Sequence, residues 1–312
     1  YIFDCEYILF AEDGTVITDS GNHVLQYTKG KFWVNNHAHI LKAKDHNCQK
    51  YLWYSFSNNK ISGCITGAVQ PKINQQALKA IEILLPSLEE QGAIAGVLGA
   101  LDDKIEANRR QNETLESMAV AIFKSWFIDF EPFGGTMPTD WKEKALSDIC
   151  RIVYGKGLPT NNLTKNGYPV FGGNGQIGFY KDFIYDEPQV IISCRGAASG
   201  KVMHSLKQSF ITNNSLICEI KKGEELNRFY LERILKFIDM TRFTTGSAQP
   251  QITIENISSV PVLVPSEKVM YDFGKILEDI DAKMTFNDEC SNNLAQVRDS
   301  LLPRLMSGKI LM

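Results

Sequence analysis

Apolar side chains recur at alternating steps of three and four residues in two long stretches of the chain, about 88–128 and about 267–305. This spacing places them along one seam of a long α-helix and is typical of helices that pack lengthwise. Each seam is interrupted by an asparagine at the same level, Asn108 and Asn287, and 287 − 108 = 179. The pattern predicts two long paired helices, with the asparagines fixing their register.

The same offset relates other segments, so the chain is predicted to be a duplication. Gln70-Pro71 recurs as Gln249-Pro250, and 249 − 70 is again 179. A run of aliphatic residues that ends in proline follows each pair, at 81–86 and 260–265, and is predicted to be a strand. A period this long indicates two tandem domains, because solenoid repeats are about 20 to 50 residues long. We expect the Gln-Pro pairs to be structural, since they persist while neighbouring turns differ.

Short alternating segments ahead of the first long helix predict a sheet-rich unit. The predicted strands are 7–11, 15–18, 32–34 and 39–42, with Gly30 in a turn. A short helix is predicted at 51–56, where Tyr51, Tyr54 and Ser55 would share one face.

The beginning of the first repeat differs from that of the second. Residues 1–14 match 183–196, so the first repeat has nothing in place of about 141–181. From this match we expect the sequence to be a fragment. We also expect the first domain, residues 1–87, to be incomplete and to expose a strand edge unless another chain supplies the segment.

Composition narrows the class of protein. A length of 312 residues with 44% hydrophobic content predicts about two soluble domains, and no apolar run or signal peptide indicates a membrane. Seven cysteines without a C-x-x-C pair predict a reduced, cytoplasmic chain. The net charge of −3 gives no global support to nucleic-acid binding, so any such surface has to be local.

Few sequence motifs indicate catalysis or a metal. The close pair His37 and His39 has no cysteine or carboxylate partner nearby in the sequence, so we expect no metal site. The glycine-rich stretch from Phe171 to Gly175 would suit a loop around a phosphate or S-adenosylmethionine, or else a β-hairpin. We prefer the hairpin, because strand-like residues flank the stretch and Asn-Gly is a strong hairpin signal. With no recognisable catalytic motif, the chain alone is predicted to be non-catalytic.

Three motifs in combination resemble one protein family. Lys124-Ser-Trp-Phe-Ile-Asp-Phe-Glu-Pro132 follows the first helix, Leu301-Leu-Pro-Arg-Leu-Met-Ser-Gly-Lys-Ile310 follows the second, and the Gly-Gly-Asn-Gly hairpin lies between them. Together they resemble the specificity subunit of type I restriction-modification systems. The resemblance implies an α+β fold with two tandem target-recognition domains of mixed α/β type, each followed by a long helix. The two helices would form an antiparallel coiled coil with pseudo-two-fold symmetry. The implied segments are domain 1 at 1–87, helix 1 at 88–130, domain 2 at 131–266 and helix 2 at 267–312.

The resemblance also implies a function. The chain would be the DNA sequence-recognition subunit of a type I complex and would read a bipartite target in double-stranded DNA, one domain per half-site. Its partners would be two modification (methyltransferase) subunits and the restriction (nuclease and translocase) subunits. No cofactor is expected in this chain, because the partners would bind S-adenosylmethionine, ATP and Mg²⁺. Two alternatives stay open: a self-contained DNA methyltransferase, and a coiled-coil scaffold that does not bind DNA.

Polar and basic residues in predicted turns of the second domain are the candidate DNA contacts. The turn 193–201 offers Arg195, Ser199 and Lys201 as donors to phosphate or guanine, although a solvated hairpin would look the same. The remaining candidates of this domain are Arg242, Thr244 and Lys156.

The first domain differs at the matching turn. Its candidates are Asp13, which aligns with Arg195, and Thr15. A carboxylate accepts a hydrogen bond from cytosine N4 but repels phosphate, so the two half-sites are expected to differ in sequence.

Aromatic residues cluster at the end of the first long helix. Trp126, Phe127 and Phe130 lie near Phe123 and Phe133, which is more aromatic surface than a seam of two helices buries. We expect Trp126, Phe127 and Phe130 to pack on the returning helix or on a partner subunit.

Overall fold

The computed structural model describes residues 1–13, 16, 23–59, 72–246 and 249–310. They form two compact units, one of Tyr1–Asn112 with Thr285–Met312 and the other of Glu113–Met284. The boundary between the units runs through both long helices, whereas the four segments expected from the sequence list each helix separately from its domain. Each long helix contributes one part to each unit, because each part buries its apolar seam in the core of the unit it belongs to.

The elements follow one another in a similar order in the two repeats. Before and including the first long helix they are β1 Phe3–Ala11, β2 Leu25–Phe32, β3 Ala38–Leu41, α1 Gln49–Asn58, α2 Gln75–Lys79 and α3 Leu88–Phe127. After it come β4 Lys142–Ala145, α4 Leu146–Ile149, β5 Cys150–Tyr154, β6 Tyr168–Gly172, β7 Gly175–Tyr180, β8 Val190–Ser193, β9 Val202–His204, β10 Phe210–Ile211, β11 Ser215–Ile220, α5 Arg228–Ile238, α6 Ile254–Ser258, β12 Pro261–Val264 and α7 Glu267–Met306.

The first unit contains an antiparallel sheet in the order β2-β1-β3. Alternate residues of β1 face its core, where Ile8 and Phe10 are buried with Phe56 of α1. The predicted helix at 51–56 is confirmed by α1, which buries the expected face of Tyr51, Tyr54 and Ser55.

The second unit contains three sheets in the orders β5-β11-β8-β9, β10-β6-β7 and β12-β4. The four-stranded sheet and α5 enclose the main core. One face of α5 is buried there, including Tyr230, Leu231 and Leu235, as its amphipathic pattern requires.

The structure confirms the duplication beyond the motifs in the sequence. Helix α5 begins 228 − 49 = 179 residues after α1, and α6 begins 254 − 75 = 179 after α2. The hydroxyl of Tyr51 donates a hydrogen bond to the carbonyl of Leu84, and the hydroxyl of Tyr230 donates to the carbonyl of Leu263. The two tyrosine donors are 179 residues apart, and so are the two carbonyl acceptors. Equivalent residues of the two repeats therefore make equivalent bonds.

Helices α3 and α7 are each 40 residues long and pack antiparallel. Asn108 Nδ2 donates to Ser291 Oγ at 3.1 Å, and Asn287 Nδ2 donates to Asn112 Oδ1 at 2.8 Å. Since 291 − 112 = 179, a two-fold rotation exchanges these two bonds, as an isologous contact requires. Both asparagines are only 2% exposed, which fits the register-setting role predicted for them.

Two predicted strands of the first repeat are wrong. Residues 32–34 lie mostly beyond β2, which instead spans Leu25–Phe32 and contains Gly30 with φ +82° rather than ending before it. Residues 81–86 form no strand, although their counterpart is β12. Strand β12 pairs with β4, and the described part of the first unit holds no strand in the place of β4.

Other expectations lie outside the described residues. These are Gln70-Pro71 and the predicted strand 15–18, except for Val16, which is buried. In the described chain, no helix has the length and apolar character needed to cross a membrane.

Candidate nucleic-acid interface

The turn between β8 and β9 carries the main candidates, and it joins two antiparallel strands as predicted. Gly196 and Gly200 adopt the left-handed region, with φ +74° and +90°. A Cβ atom at Gly200 would lie 2.5 Å from the Cα atom of Thr241. Glycine is therefore required at position 200 for the segment 240–243 to pack against the turn.

Hydrogen bonds on both sides fix the backbone next to Arg195. The Cys194 N–H donates to the carbonyl of Asn214 at 2.9 Å, and the Ile252 N–H donates to the carbonyl of Cys194 at 3.0 Å. The Gly196 N–H donates to the carbonyl of Pro250 at 2.9 Å, so the Gln-Pro motif supplies one backbone acceptor to this frame. Cys194 is buried and Arg195 is exposed, so a rigid frame presents the guanidinium to solvent.

Arg195 lies on an open cleft of about 720 Å³. The walls come from segments distant in sequence, namely Gly173, Asn174, Arg195, Gly196, Ala197, Ala198, Ser199, Lys201, Asn214 and Thr241. Strands β6 and β7 form the predicted hairpin, with Gly172 opposite Gly175, so Gly173 and Asn174 are its tip. Lys201 Nζ donates to Asn174 Oδ1 at 2.7 Å and to the Asn174 carbonyl at 3.2 Å, which ties the hairpin tip to the turn.

The second unit contains five arginines, and ion pairing distinguishes the two candidates, Arg195 and Arg242, from the other three. Arg151, Arg228 and Arg233 each pair with a carboxylate of the same unit. Arg195 and Arg242 are exposed, and in the part of the chain that the structure describes neither has a carboxylate within ion-pair distance. Their charge is therefore available to a ligand.

The other candidates of the second unit lie at or beside the cleft. Ser199 is buried in its wall, and Thr244 is half-buried; within the described residues, neither hydroxyl has a hydrogen-bond partner. Lys156 is exposed, and its carbonyl accepts from the Asn213 N–H at 3.1 Å, next to the cleft residue Asn214. Arg242 follows Thr241, which lines the cleft.

The first unit has the same frame around Asp13. The Glu12 N–H donates to the carbonyl of His37 at 2.9 Å, and the Ile73 N–H donates to the carbonyl of Glu12 at 3.0 Å. These bonds match those around Cys194 in partners and lengths, so Asp13 is at the position of Arg195, as the sequence alignment predicted. His37 occupies the position of Asn214, and its Nδ1 atom lies 3.0 Å from the Asp13 carboxylate. Thr15, the other candidate, lies outside the described residues.

The two close histidines have different partners. His37 contacts Asp13, whereas His39 Nε2 lies 2.8 Å from the carbonyl of Ile73. The described residues place no three histidine, cysteine or carboxylate side chains so that they could hold a metal ion.

The aromatic residues at the end of α3 belong to the core of the second unit. Phe127 is 2% exposed, and its ring lies 4.9 Å from that of Phe273 and 4.7 Å from that of Tyr230. Of the two alternatives expected for Phe127, the structure shows packing on the returning helix α7, and the unit's own core buries the rest of its ring. Trp126 packs on Phe273, and Phe130 packs on Trp141, but both stay partly exposed.

The sequence did not identify three residues of these sites. Asn174 was explained by its role in the hairpin turn, and its place in the cleft depends on the distant Lys201. Asn214 and His37 precede β11 and β3 and are related by 214 − 37 = 177 rather than 179, so the repeat offset alone does not align them.

Comparison with known proteins agrees with this architecture. The family model for the type I restriction modification DNA specificity domain matches residues 1–117 and 138–296. The MjaIX specificity subunit of Methanocaldococcus jannaschii, a type I restriction enzyme subunit, is 25% identical over 98% of this chain and 80% of its own length. The HindI specificity subunit of Haemophilus influenzae is 25% identical over 77% of this chain and 71% of its own length.

A solved structure has the same fold. The crystal structure of the type I restriction-modification S subunit from M. genitalium superposes with a TM-score of 0.65 at 19% identity, covering 98% of this chain and 84% of that one. Since the family model covers both repeats, this chain belongs to the family of type I restriction-modification DNA specificity domains.

Proposed function

We propose that this chain is the DNA sequence-recognition subunit of a type I restriction-modification complex and that each of its two domains reads one half of a bipartite target. The observation that carries the proposal is the shared backbone frame, which presents Arg195 in one unit and Asp13 in the other. A duplicated frame with different side chains suits a protein that reads two different half-sites. Family membership supports the same function.

The chemistry of the cleft suits DNA. Arg195 and Lys201 supply positive charge in the cleft of a chain whose net charge is −3, and Arg242 follows the cleft residue Thr241, so attraction to phosphate is local. Side chains from rigid turns can then reach the base edges, which carry the sequence information. Asn174 adds a neutral hydrogen-bonding group to the same wall.

The alternative of a self-contained methyltransferase depends on the glycine-rich stretch from Phe171 to Gly175. That stretch is the tip of an antiparallel hairpin, whereas glycine-rich cofactor loops commonly connect a strand to a helix. We therefore propose that the chain itself is non-catalytic and acts in the cytoplasm with modification and restriction subunits. Those partners would carry S-adenosylmethionine, ATP and Mg²⁺, and the exposed parts of Trp126 and Phe130 are candidate contacts for one of them.

The test is to assemble the chain with the modification subunit of its own system and to supply S-adenosylmethionine and a library of random-sequence duplexes. Mapping the methylated bases should give one bipartite motif. Arg195→Ala should relax one half of that motif and leave the other half unchanged. Arg151→Ala is the matched control, because Arg151 is an exposed arginine of the same unit that pairs with Glu219.

Two results would contradict the proposal. Methylation by the chain without its partner would identify a methyltransferase. Methylation by the assembled complex without any sequence preference would leave this chain as a scaffold.

A further inference from the structure

We propose that the cleft of the second unit reads a guanine through its major-groove edge, with Arg195 as the base-reading residue. The inference rests on the proposed function and deepens it, since it names the base that one domain recognises. It follows from the chemical groups that line the cleft and from the way they are held.

The charged groups of the cleft are all hydrogen-bond donors. Arg195 offers a planar guanidinium and Lys201 an ammonium, and none of the residues that line the cleft is an aspartate or glutamate. Guanine presents two acceptors, N7 and O6, on its major-groove edge, and a bidentate arginine is the commonest contact to them. Adenine and thymine each present only one acceptor there, N7 and O4, and adenine and cytosine also present an amino donor, which a cation repels. Asn214 can donate or accept, so the charged residues decide the preference.

Asn174 is oriented as a donor as well. An ammonium can only donate, so the side-chain atom of Asn174 that lies 2.7 Å from Lys201 Nζ has to be its oxygen. The carbonyl of Asn174 accepts from the same ammonium at 3.2 Å. Both oxygens of this residue are therefore engaged, and its amide N–H groups remain for a ligand.

Arg195 is also free to make the contact. Its neighbours Cys194 and Gly196 are fixed by backbone hydrogen bonds to Asn214 and Pro250, and its side chain is exposed. No carboxylate in the described residues forms an ion pair with it. A fixed backbone under an unpaired guanidinium lowers the entropy lost when the base is bound.

The first unit provides the contrast. Asp13 holds the equivalent position and is an acceptor, and its carboxylate lies 3.0 Å from His37 Nδ1. The same frame there favours a base that presents an amino group, namely cytosine or adenine.

The experiment uses the complex with its modification subunit and begins with the motif mapped for the wild-type chain. Each guanine of the half-site that relaxes in Arg195→Ala is replaced in turn by 7-deazaguanine, which lacks the N7 acceptor but pairs normally. At one position, wild-type binding should fall roughly 5- to 150-fold. The same replacement should cause little further loss with the Arg195→Ala complex. Inosine, which lacks only the minor-groove amino group, is the matched control and should leave binding nearly unchanged.

Arg195→Lys separates base reading from phosphate binding. It keeps the charge, so the salt dependence of binding should stay near that of the wild type. Discrimination against 7-deazaguanine should fall, because an ammonium lacks the planar pair of donors of a guanidinium. The inference is overturned if the relaxed half-site contains no guanine on either strand. It is also overturned if 7-deazaguanine weakens wild-type and Arg195→Ala complexes equally. Failure of the proposed function would look different, because the wild-type complex would then methylate without any motif.

Discussion

Arg195 and Asp13 occupy the same place in two copies of one backbone frame, and their charges are opposite. In the second unit the arginine is exposed beside Asn214, and in the first the aspartate contacts His37. The bonds that hold the frame involve backbone atoms alone, so the side chains can change without altering it. The comparison shows that the backbone of this fold sets where the reading side chain lies, whereas the identity of that side chain can change independently.

A second pair of equivalent positions shows that the two copies also differ in a contact between a strand and a helix. In the second unit His204 of β9 lies 2.8 Å from Glu232 of α5. The equivalent residues of the first unit are Tyr27 of β2 and Trp53 of α1, whose ring centroids are 5.7 Å apart. Glu232 follows Trp53 by the repeat offset, 232 − 53 = 179. His204 follows Tyr27 by 204 − 27 = 177, the same difference as between Asn214 and His37. Both members of the contact differ together, because a buried carboxylate without its partner would be strongly destabilising.

The largest effect is expected from placing the first unit's residue in the second. Arg195→Asp should weaken binding of the complex to its mapped target by about 3–5 kcal/mol, because a base contact is lost and a carboxylate then faces phosphate. Arg195→Ala should cost only about 1–3 kcal/mol. Binding titrations at several salt concentrations measure the difference, and equal losses for the two variants would show that Arg195 makes no such contact.

Gly200→Ala tests whether the backbone frame around Arg195 in the second unit requires a glycine at position 200. Both the left-handed backbone and the overlap with Thr241 oppose a side chain there, so we expect a loss of about 3 kcal/mol or more in stability of the second unit. By strand register the equivalent position of the first unit is His23, so that frame does without the glycine.

Gly196→Ala is the matched control for this prediction. Gly196 is also left-handed, but a Cβ atom there would meet nothing within 4 Å. Its cost should be about 1–2 kcal/mol, from backbone strain alone. Chemical denaturation of both variants provides the test, and equal losses would rule out the contact with Thr241 as the reason for glycine at position 200.

Low pH should reduce the stability of the second unit more than that of the first, because only the second has the Glu232 and His204 pair. Burial alone raises the pKa of Glu232, but the hydrogen bond and charge of His204, together with Lys236, outweigh it and lower the pKa from 4.5 to about 2. Because the folded pKa lies below the unfolded value, the stabilisation is present above about pH 4.5 and is lost as the pH falls toward 2. It amounts to on the order of 3 kcal/mol.

Hydrogen exchange measured at a series of pH values checks this prediction. Amides of α5 should lose protection in the acid window, whereas those of α1, with Trp53 in the equivalent position, should lose less. Glu232→Gln should make α5 less stable at neutral pH and should flatten its pH dependence. A pH profile of α5 that is unchanged in Glu232→Gln would refute the assignment.

The smallest effects are expected where the two copies are alike. Asn108→Ala and Asn287→Ala should each cost about 1–3 kcal/mol in unfolding free energy, because each removes a buried side chain together with its hydrogen bonds. The two-fold exchange of their bonds to Ser291 and Asn112 predicts similar costs. The double variant should cost less than the sum, since the residues share one network. Clearly different single costs would show that the seam is not energetically symmetric.

The sequence by itself determined the elements whose signals are local or repeated. The steps of three and four residues predicted α3 and α7 because a helix seam has that period wherever it occurs. The offset of 179 predicted the duplication, and the match of residues 1–14 with 183–196 aligned Asp13 with Arg195. Asn-Gly predicted the hairpin of β6 and β7, because its turn needs those residue types.

Only the tertiary structure decided what depends on distant partners. Residues 81–86 and 261–264 have similar sequences, yet only the latter form a strand, because β4 pairs with them. The cleft requires Asn174, Lys201 and Asn214 to converge, and no period in the sequence encodes that approach. Helix periodicity left open whether Phe127 packs on the returning helix or on a partner, because it gives the direction of a side chain but not the core that buries it. Strand pairing and side-chain convergence join residues far apart in the chain, so the packed fold alone specifies them.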